Sequence, residues 1–117
     1  MAEPDKSVRD RTGALFGDLW HRYDDALFRE SVELFRKRCD ANGFDGRWLR
    51  GKTCLDAGCG GGRNAVAIAS ENAARVIGCD ISENGLRDAA ARARDIAAIR
   101  YVAGSVLDLP FADGAFD

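Results

Sequence analysis

The first half of the chain carries apolar residues at helical spacing. Over residues 7–41 they recur every three or four positions with polar side chains between them, which is the pattern of amphipathic helices. Asn42-Gly43 is a helix-stop signal, and Phe44–Gly46 has the composition of a loop. The pattern therefore predicts a helical region of two helices, with an apolar stripe formed by Leu15, Phe16, Leu19, Trp20, Tyr23, Leu27, Val32, Phe35 and Cys39.

The second half alternates short apolar runs with helical stretches. Strand patterns occupy Thr53–Asp56, Arg75–Asp80 and Ile99–Ala103. One helix is predicted over residues 64–70, and Ser82 is a suitable N-cap for the next. This alternation predicts a parallel sheet whose right-handed crossovers give the strand order 3-2-1. The apolar stripe predicted for the second helix is Leu86, Ala89, Ala90, Ala93 and Ala97.

The predicted fold class is α/β, a Rossmann-like doubly wound parallel sheet at residues 51–117 with an N-terminal helical cap at residues 1–50. A doubly wound sheet continues to a fourth strand on the other side of strand 1. Here the sequence reaches Asp117 after three strands, and bare apolar strand edges are normally avoided. We therefore expect a fold truncated after strand 3, the N-terminal part of a longer protein.

Composition excludes several function classes. The 117 residues fit one domain, no apolar run is long enough to span a membrane, and a net charge of −2 gives no electrostatic case for a nucleic-acid or membrane partner. The segment Met1–Lys6 has no apolar signal-peptide core, which predicts a cytoplasmic protein with reduced thiols. The four cysteines lack the Cys-x-x-Cys spacing of a zinc site, so no metal is expected.

A glycine-rich loop and two acidic residues carry the candidate chemistry. Gly58, Gly60 and Gly62 lie between a strand and a helix, where a ligand can approach the backbone. Asp80 ends the second strand, where an acid can accept hydrogen bonds from a ribose diol. The alternatives are a plain strand-helix turn, a capping or exposed role for Asp80, and an Asp56 that only ties the loop amides.

The same loop favours one ligand class over another. A dinucleotide site needs a third small residue, and that position is Arg63 when one counts from Gly58. Asp56, at the base of the loop, would repel a pyrophosphate but suits a ligand with an ammonium group. Adenosine joined to an amino acid fits this pattern, with its ribose on Asp80 and its ammonium towards Asp56.

Three segments resemble the class I S-adenosylmethionine-dependent methyltransferases. Leu55–Arg63 is similar to their first motif, and Val76–Ser82 to their second. Gly104–Phe111, followed by Asp113–Asp117, resembles their third motif, which leads into a fourth strand. The resemblance is greatest to small-molecule methyltransferases, a group that includes C-methyltransferases of quinone pathways. It implies S-adenosyl-L-methionine as cofactor and a small-molecule methyl acceptor.

The resemblance also implies roles for individual residues. The loop would hold the methionine part of the cofactor, Asp80 the ribose, and Ile81 would lie against the adenine. Ser105, which would meet the adenine edge, stands where the family pattern commonly has Asp, so that contact would lack a charge. The implied cofactor-binding set is Asp56, Ala57, Gly58, Cys59, Gly60, Gly62, Asp80, Ile81, Ser105, Val106 and Tyr23.

Some assignments stay open on the sequence. Trp20 and Tyr23 belong either to the surface that covers the cofactor and acceptor or to the helix-packing stripe. His21 is expected on a helix surface, and no catalytic base can be assigned. The leading function is methyl transfer. The alternatives are an NAD(P)-dependent oxidoreductase, and a non-catalytic module that binds S-adenosylmethionine or a nucleotide, or an inactive truncated product.

Overall fold

The computed structural model describes residues 10–13 and 25–117. Three helices, one 3-10 helix and three strands make up the second of these ranges. In chain order they are α1 (Asp25–Ala41), the 3-10 helix (Gly46–Leu49), β1 (Thr53–Ala57), α2 (Arg63–Ser70), β2 (Arg75–Asp80), α3 (Glu83–Arg92) and β3 (Ile99–Ala103). Residues 10–13 are also helical.

The three strands form one parallel sheet in the order β1-β2-β3, which confirms the predicted order. Because side chains alternate between the faces of a strand, residues in register across the sheet form rows on one face. The row nearer the start of the strands is Cys54, Val76 and Ile99, and the next row on the same face is Asp56, Gly78 and Tyr101. The register therefore places an acid, a glycine and a phenol side by side near the carboxyl ends.

The core lies where the first of these rows meets α2 and α3. Val76 is fully buried, Ile99 is nearly so, and Ile68 of α2 packs with them. Small residues, among them Ala65 and Ala93, let the helices approach the strands closely. Burying each large aliphatic side chain contributes about 1.5–3 kcal/mol, so this cluster anchors the helices on the sheet.

Helix α1 packs on α2. Arg36 of α1 donates two hydrogen bonds to Glu71, which follows α2, at 3.1 and 3.0 Å. Phe28 of α1 lies under the guanidinium of Arg92, 4.6 Å from the ring centroid. These contacts attach the helical N-terminal part to the helices of the sheet. No helix within the described ranges is long and apolar enough to cross a membrane.

The second crossover helix is shorter than the apolar stripe predicted. It begins at the N-cap Ser82, as expected, but it ends at Arg92, and Ala93 is its C-cap. Ala90 and Ala97 are exposed. The residues of this region that are buried or half-buried on the side of the stripe are Gly85, Leu86, Ala89 and Ala93. Alanine repeats satisfy a helical spacing on more than one face, which is why the pattern overestimated the stripe.

Asp117, the last residue of the chain, forms hydrogen bonds with one end of the outer edge of β1. The backbone N–H of Asp117 donates to the carbonyl of Thr53 at 2.9 Å. The carboxylate of Asp117 accepts from the N–H of Thr53, also at 2.9 Å. Past Thr53, no described residue hydrogen-bonds Leu55 along this edge.

Candidate functional site

The glycine-rich loop is held to the end of β2 by its backbone. The N–H groups of Gly58 and Cys59 both donate to the carbonyl of Cys79, at 2.7 and 3.0 Å. Gly58, Gly60 and Gly62 all have positive φ angles, so the loop turns back on itself before α2 begins. The predicted strand-loop-helix arrangement is thus present, with the loop fixed at the carboxyl end of the sheet.

Asp80 ties the loop to the start of α3. Its Oδ2 accepts from the N–H of Gly60 at 2.8 Å, and its Oδ1 accepts from the N–H of Ser82 at 2.8 Å. A carboxylate oxygen has two lone pairs, so each oxygen can accept one further hydrogen bond. The half-buried Asp80 therefore orders the loop and the start of α3, a role that the sequence analysis did not give it, and keeps capacity for two ligand hydroxyls.

The carboxylate of Asp56 lies at the N-terminus of α2. Its carboxylate accepts a hydrogen bond from the backbone N–H of Ala65, in the first turn of a helix whose N-cap, Gly62, has no side chain. Burial raises the pKa of the Asp56 carboxyl, and the negative charge of Asp80 acts in the same direction. The Ala65 N–H and the charge of Arg63 oppose the rise. Asp56 therefore acts on the first turn of α2 and not on the loop amides that the sequence analysis gave as its alternative, and a contact with a ligand ammonium stays a prediction.

Asp56 also has an atom without a partner. Its Oδ2 is buried and accepts no hydrogen bond from the described residues. The Tyr101 hydroxyl, in the same row of the sheet, is likewise buried without a described partner. Burial raises the pKa of Tyr101 above its usual range, with smaller contributions from Cys59 and Asp56, so the phenol keeps its proton.

The sequence analysis missed the part played by Tyr101 and Gly78. A Cβ atom on Gly78 would lie 2.5 Å from Cδ1 and Cε1 of Tyr101, so the ring crosses β2 where β2 has no side chain. A Cβ on Gly62 would collide with the Tyr101 hydroxyl and lie 3.0 Å from Ala89. The available signal was the lone glycine inside a strand pattern, which often marks a close approach.

The turn after β3 borders the loop from the other side. Val106 lies 3.9 Å from the position that a Cβ on Gly58 would take, and its side chain is 54% exposed. The hydroxyl of Ser105 accepts from the N–H of Leu107 at 3.2 Å, and Asp108 donates its N–H to the Ser105 carbonyl. Ser105 thus shapes its own turn, and its hydroxyl proton remains available to a ligand.

The described N-terminal residues reach the site at Ile81. A Cβ on Gly13 would lie 3.5 Å from the carbonyl oxygen of Ile81 and 3.6 Å from its Cγ1. Helical backbone from the predicted cap therefore lies against the residue expected beside adenine. Trp20, His21 and Tyr23 fall outside the described residues, so their assignments stay predictions.

The predicted site residues divide by accessibility. Ala57, Gly58 and Val106 are exposed, and four others are half-buried, namely Asp56, Asp80, Ile81 and Ser105. Cys59, Gly60 and Gly62 are buried. A ligand in the crevice would meet the first two groups directly, whereas the third group shapes the loop from within.

The loop cysteine has no features of a nucleophile. Cys59 is 5% exposed, and burial raises the pKa of its thiol, with Asp56 and Asp80 acting in the same direction. The thiolate is the reactive form of cysteine, so this side chain behaves as a small apolar group. Within the described ranges, no group of three or more His, Cys, Asp or Glu could hold a metal ion.

Comparisons with known proteins agree with this geometry. A family model described as a methyltransferase domain matches residues 54–117. A demethylmenaquinone methyltransferase from Beutenbergia cavernae is 34% identical over 126 aligned positions, which cover 99% of this chain and 46% of that protein. The chain spans about a quarter to a half of the length of the curated relatives it matches.

Solved structures give the same picture. An S-adenosylmethionine-dependent methyltransferase from Mesorhizobium loti is 30% identical, with a TM-score of 0.56, over 59% of this chain and 32% of that one. The magnesium protoporphyrin IX methyltransferase from Synechocystis PCC 6803, solved with bound SAH, is 25% identical with a TM-score of 0.61. That match covers 90% of this chain and 53% of the other.

Proposed function

The chain belongs to the class I S-adenosylmethionine-dependent methyltransferases, and we propose that it binds S-adenosylmethionine at the carboxyl ends of its three strands. The crevice runs from the loop after β1, past Asp80 and Ile81, to the turn at Ser105 and Val106. Relatives with this fold are described as S-adenosylmethionine-dependent or were solved with bound SAH, which supports the same cofactor here.

The observation that carries the proposal is the position of Asp80. Its carboxylate joins the glycine loop to the start of α3 through Gly60 and Ser82, and each oxygen keeps one lone pair. Two adjacent hydroxyls of a ribose are the ligand groups that match two adjacent acceptors. Gly58 leaves the backbone accessible beside them, where the amino acid part of the cofactor would lie.

Methyl transfer depends mainly on the alignment of the cofactor and the acceptor. When bound, S-adenosylmethionine would supply an electrophilic methyl group that a nucleophilic atom of the acceptor can attack. Holding two reactants in line and away from water supplies much of such a rate enhancement. Asp80 and the loop would fix the cofactor, and the helical residues at Gly13 would cover it near Ile81.

For the acceptor we propose a small molecule of the quinone class. The relatives named as demethylmenaquinone and 2-phytyl-1,4-naphtoquinone methyltransferases support this choice. The reduced ring of a quinone carries electron-rich carbon atoms, which are suitable nucleophiles for a sulfonium methyl group. The NAD(P)-dependent alternative is not supported, because a pyrophosphate would face the negative charge of Asp56.

A binding experiment tests the cofactor. We expect saturable binding of radiolabelled S-adenosylmethionine to the full chain in equilibrium dialysis, and much weaker binding of NAD. Asp80→Ala should weaken S-adenosylmethionine binding by about 1.5–3 kcal/mol, roughly 10- to 100-fold, because two ribose hydroxyls lose charged acceptors.

The control for this experiment is Asp95→Ala. Asp95 is an exposed acid after α3, so its loss changes the net charge equally without touching the crevice. Because Asp80 also holds Gly60 and Ser82, thermal melts must show that the Asp80 variant is folded. Tight NAD binding without S-adenosylmethionine binding would overturn the proposal. Cofactor binding without methyl transfer to reduced quinones would favour a non-catalytic module.

A further inference from the structure

Asp56, Gly78 and Tyr101 form one continuous row across the sheet. Asp56 pairs in register with Gly78, and Gly78 pairs with Tyr101. Neighbouring strands lie about 4.8 Å apart, so the backbones of Asp56 and Tyr101 are roughly 10 Å apart. The Tyr101 side chain spans most of this gap, since its ring lies across Gly78 and no side chain of β2 stands in the way.

Both polar ends of the row meet the start of α2. The Tyr101 hydroxyl lies against Gly62, the N-cap of the helix. The Asp56 carboxylate accepts from the N–H of Ala65, three residues later in the first turn. The two groups therefore both lie at the first turn of α2, and the unpaired atom of each is buried.

The two groups have complementary hydrogen-bonding capacity. Asp56 Oδ2 is an acceptor, and the Tyr101 hydroxyl is a donor, and neither has a hydrogen-bond partner within the described part of the chain. Leaving a buried polar atom unsatisfied costs about 1–3 kcal/mol, and more for a charged group. A hydrogen-bonded link between a buried donor and a buried acceptor removes this cost for both.

We propose that one enclosed water molecule links the two groups, accepting a hydrogen bond from the phenol of Tyr101 and donating one to the Asp56 carboxylate, and so stabilises the negative charge beneath the glycine loop. Tyr101 is then a positioning residue that acts through Asp56. The role rests on the proposed function, in which the charge of Asp56 attracts the ammonium group of the cofactor. A phenylalanine would fill the same space across Gly78 without supplying the donor.

The first test measures the titration of Asp56. The charged groups acting on this carboxyl are Asp80 on β2 and Arg63 on α2, and both stay unchanged in Tyr101→Phe. A hydrogen bond donated to the charged form lowers the pKa of a carboxyl. We therefore expect Tyr101→Phe to raise the Asp56 pKa, read from the pH dependence of unfolding relative to a matched Asp56→Asn chain.

The second test measures ligand affinity. Tyr101→Phe should weaken the binding of S-adenosylhomocysteine about two- to tenfold, while adenosine, which has no ammonium group, should bind unchanged. In an Asp56→Asn chain the same substitution should have no further effect on S-adenosylhomocysteine. Ser31→Ala is the control, because it removes another buried hydroxyl, bonded to Phe28 in α1, without touching the row.

The outcomes separate this inference from the proposed function. An Asp56 titration that is identical in the wild type and in Tyr101→Phe would overturn the link between the two side chains, whatever the chain binds. A shifted titration in a chain that does not bind S-adenosylhomocysteine would support the link and refute the cofactor. Equal weakening of adenosine and S-adenosylhomocysteine would show that Tyr101 only supports the loop, and would overturn the positioning role.

Discussion

At the scale of single residues, Gly62 is constrained in three ways at once. Its φ angle of 86° lies in the left-handed region, which side chains with a Cβ rarely adopt. The hydroxyl of Tyr101 and the methyl group of Ala89 occupy the space that a Cβ would need. The role that the structure gives Gly62 is therefore close packing of α2 against β3 and α3, beneath the part of the loop that faces a ligand.

We expect Gly62→Ala to lower the free energy of unfolding by about 1–3 kcal/mol, since the added methyl group is both overpacked and strained. Gly114→Ala is the matched control, because Gly114 has a φ of 72° and nothing within 4 Å of its Cβ position. Chemical denaturation of both variants measures the difference. Tyr101→Phe should partly rescue Gly62→Ala, and equal losses in the two alanine variants would contradict the packing argument.

The raised pKa of Asp56 predicts that its contribution to folding stability decreases as the pH rises. Its folded pKa is raised by burial, so its contribution to stability is full below the unfolded value of about 4 and is lost as pH rises through the folded value. Asp56→Asn keeps an acceptor for Ala65 but cannot ionise. The stability of the wild type relative to this variant should therefore fall as the pH rises above about 4. Urea unfolding at a series of pH values tests this, and a difference that rises with pH would contradict it.

At the scale of elements, α3 depends on its first turn. The Ser82 hydroxyl accepts from the N–H of Gly85 at 3.1 Å, and Gly85 packs close to the carbonyl of Gly60 in the loop. The cap therefore sets both the start of the helix and its distance from the crevice. A change at Ser82 should be felt in the helix and in the loop together.

Ser82→Ala should cost about 0.5–2 kcal/mol of stability, the usual effect of losing an N-cap side chain. Ser70→Ala, which removes a hydroxyl bonded to Ala67 at the far end of α2, should cost less because it caps no helix N-terminus. Amide hydrogen exchange is the measurement, and it should show faster exchange in α3 for Ser82→Ala. Unchanged protection of α3 would show that the cap contributes little.

At the scale of the whole molecule, the edge of β1 that faces away from β2 has no strand partner among the described residues. Since backbone groups alternate along a strand, Leu55 directs its N–H and carbonyl to the same side as Thr53, where Asp117 binds. Leu55 and Ile77 are also only half-buried on the sheet face opposite α2 and α3. An open edge beside a partly exposed apolar face is a template for pairing with another chain.

We therefore expect the 117-residue chain to self-associate through β1. Sedimentation should show a mass that rises with concentration. The amide of Leu55 should gain protection from hydrogen exchange as concentration rises, while that of Asp56, on the paired side, serves as an internal control. A mass that stays monomeric at every concentration would contradict this expectation.

Local sequence determined the elements of the sheet and their order. Short apolar runs predicted all three strands, and the glycine loop and the Ser82 cap were recognisable because each depends on residues next to it in sequence. The strand order followed from the handedness of crossovers, which is nearly independent of side chains. The family resemblance rested on the same segments, since Leu55–Arg63 and Val76–Ser82 lie within the matched region 54–117.

Tertiary structure decided what these residues do to each other. The pairing of Asp56, Gly78 and Tyr101 depends on register across three strands, and successive members of this row lie more than 20 residues apart in sequence. Local patterns carry no information about which residue stands opposite which, because register is set by the packing of the whole sheet. For the same reason Asp80 was recognisable as a ligand for hydroxyls, but its hold on Gly60 and Ser82 became visible only in the folded chain.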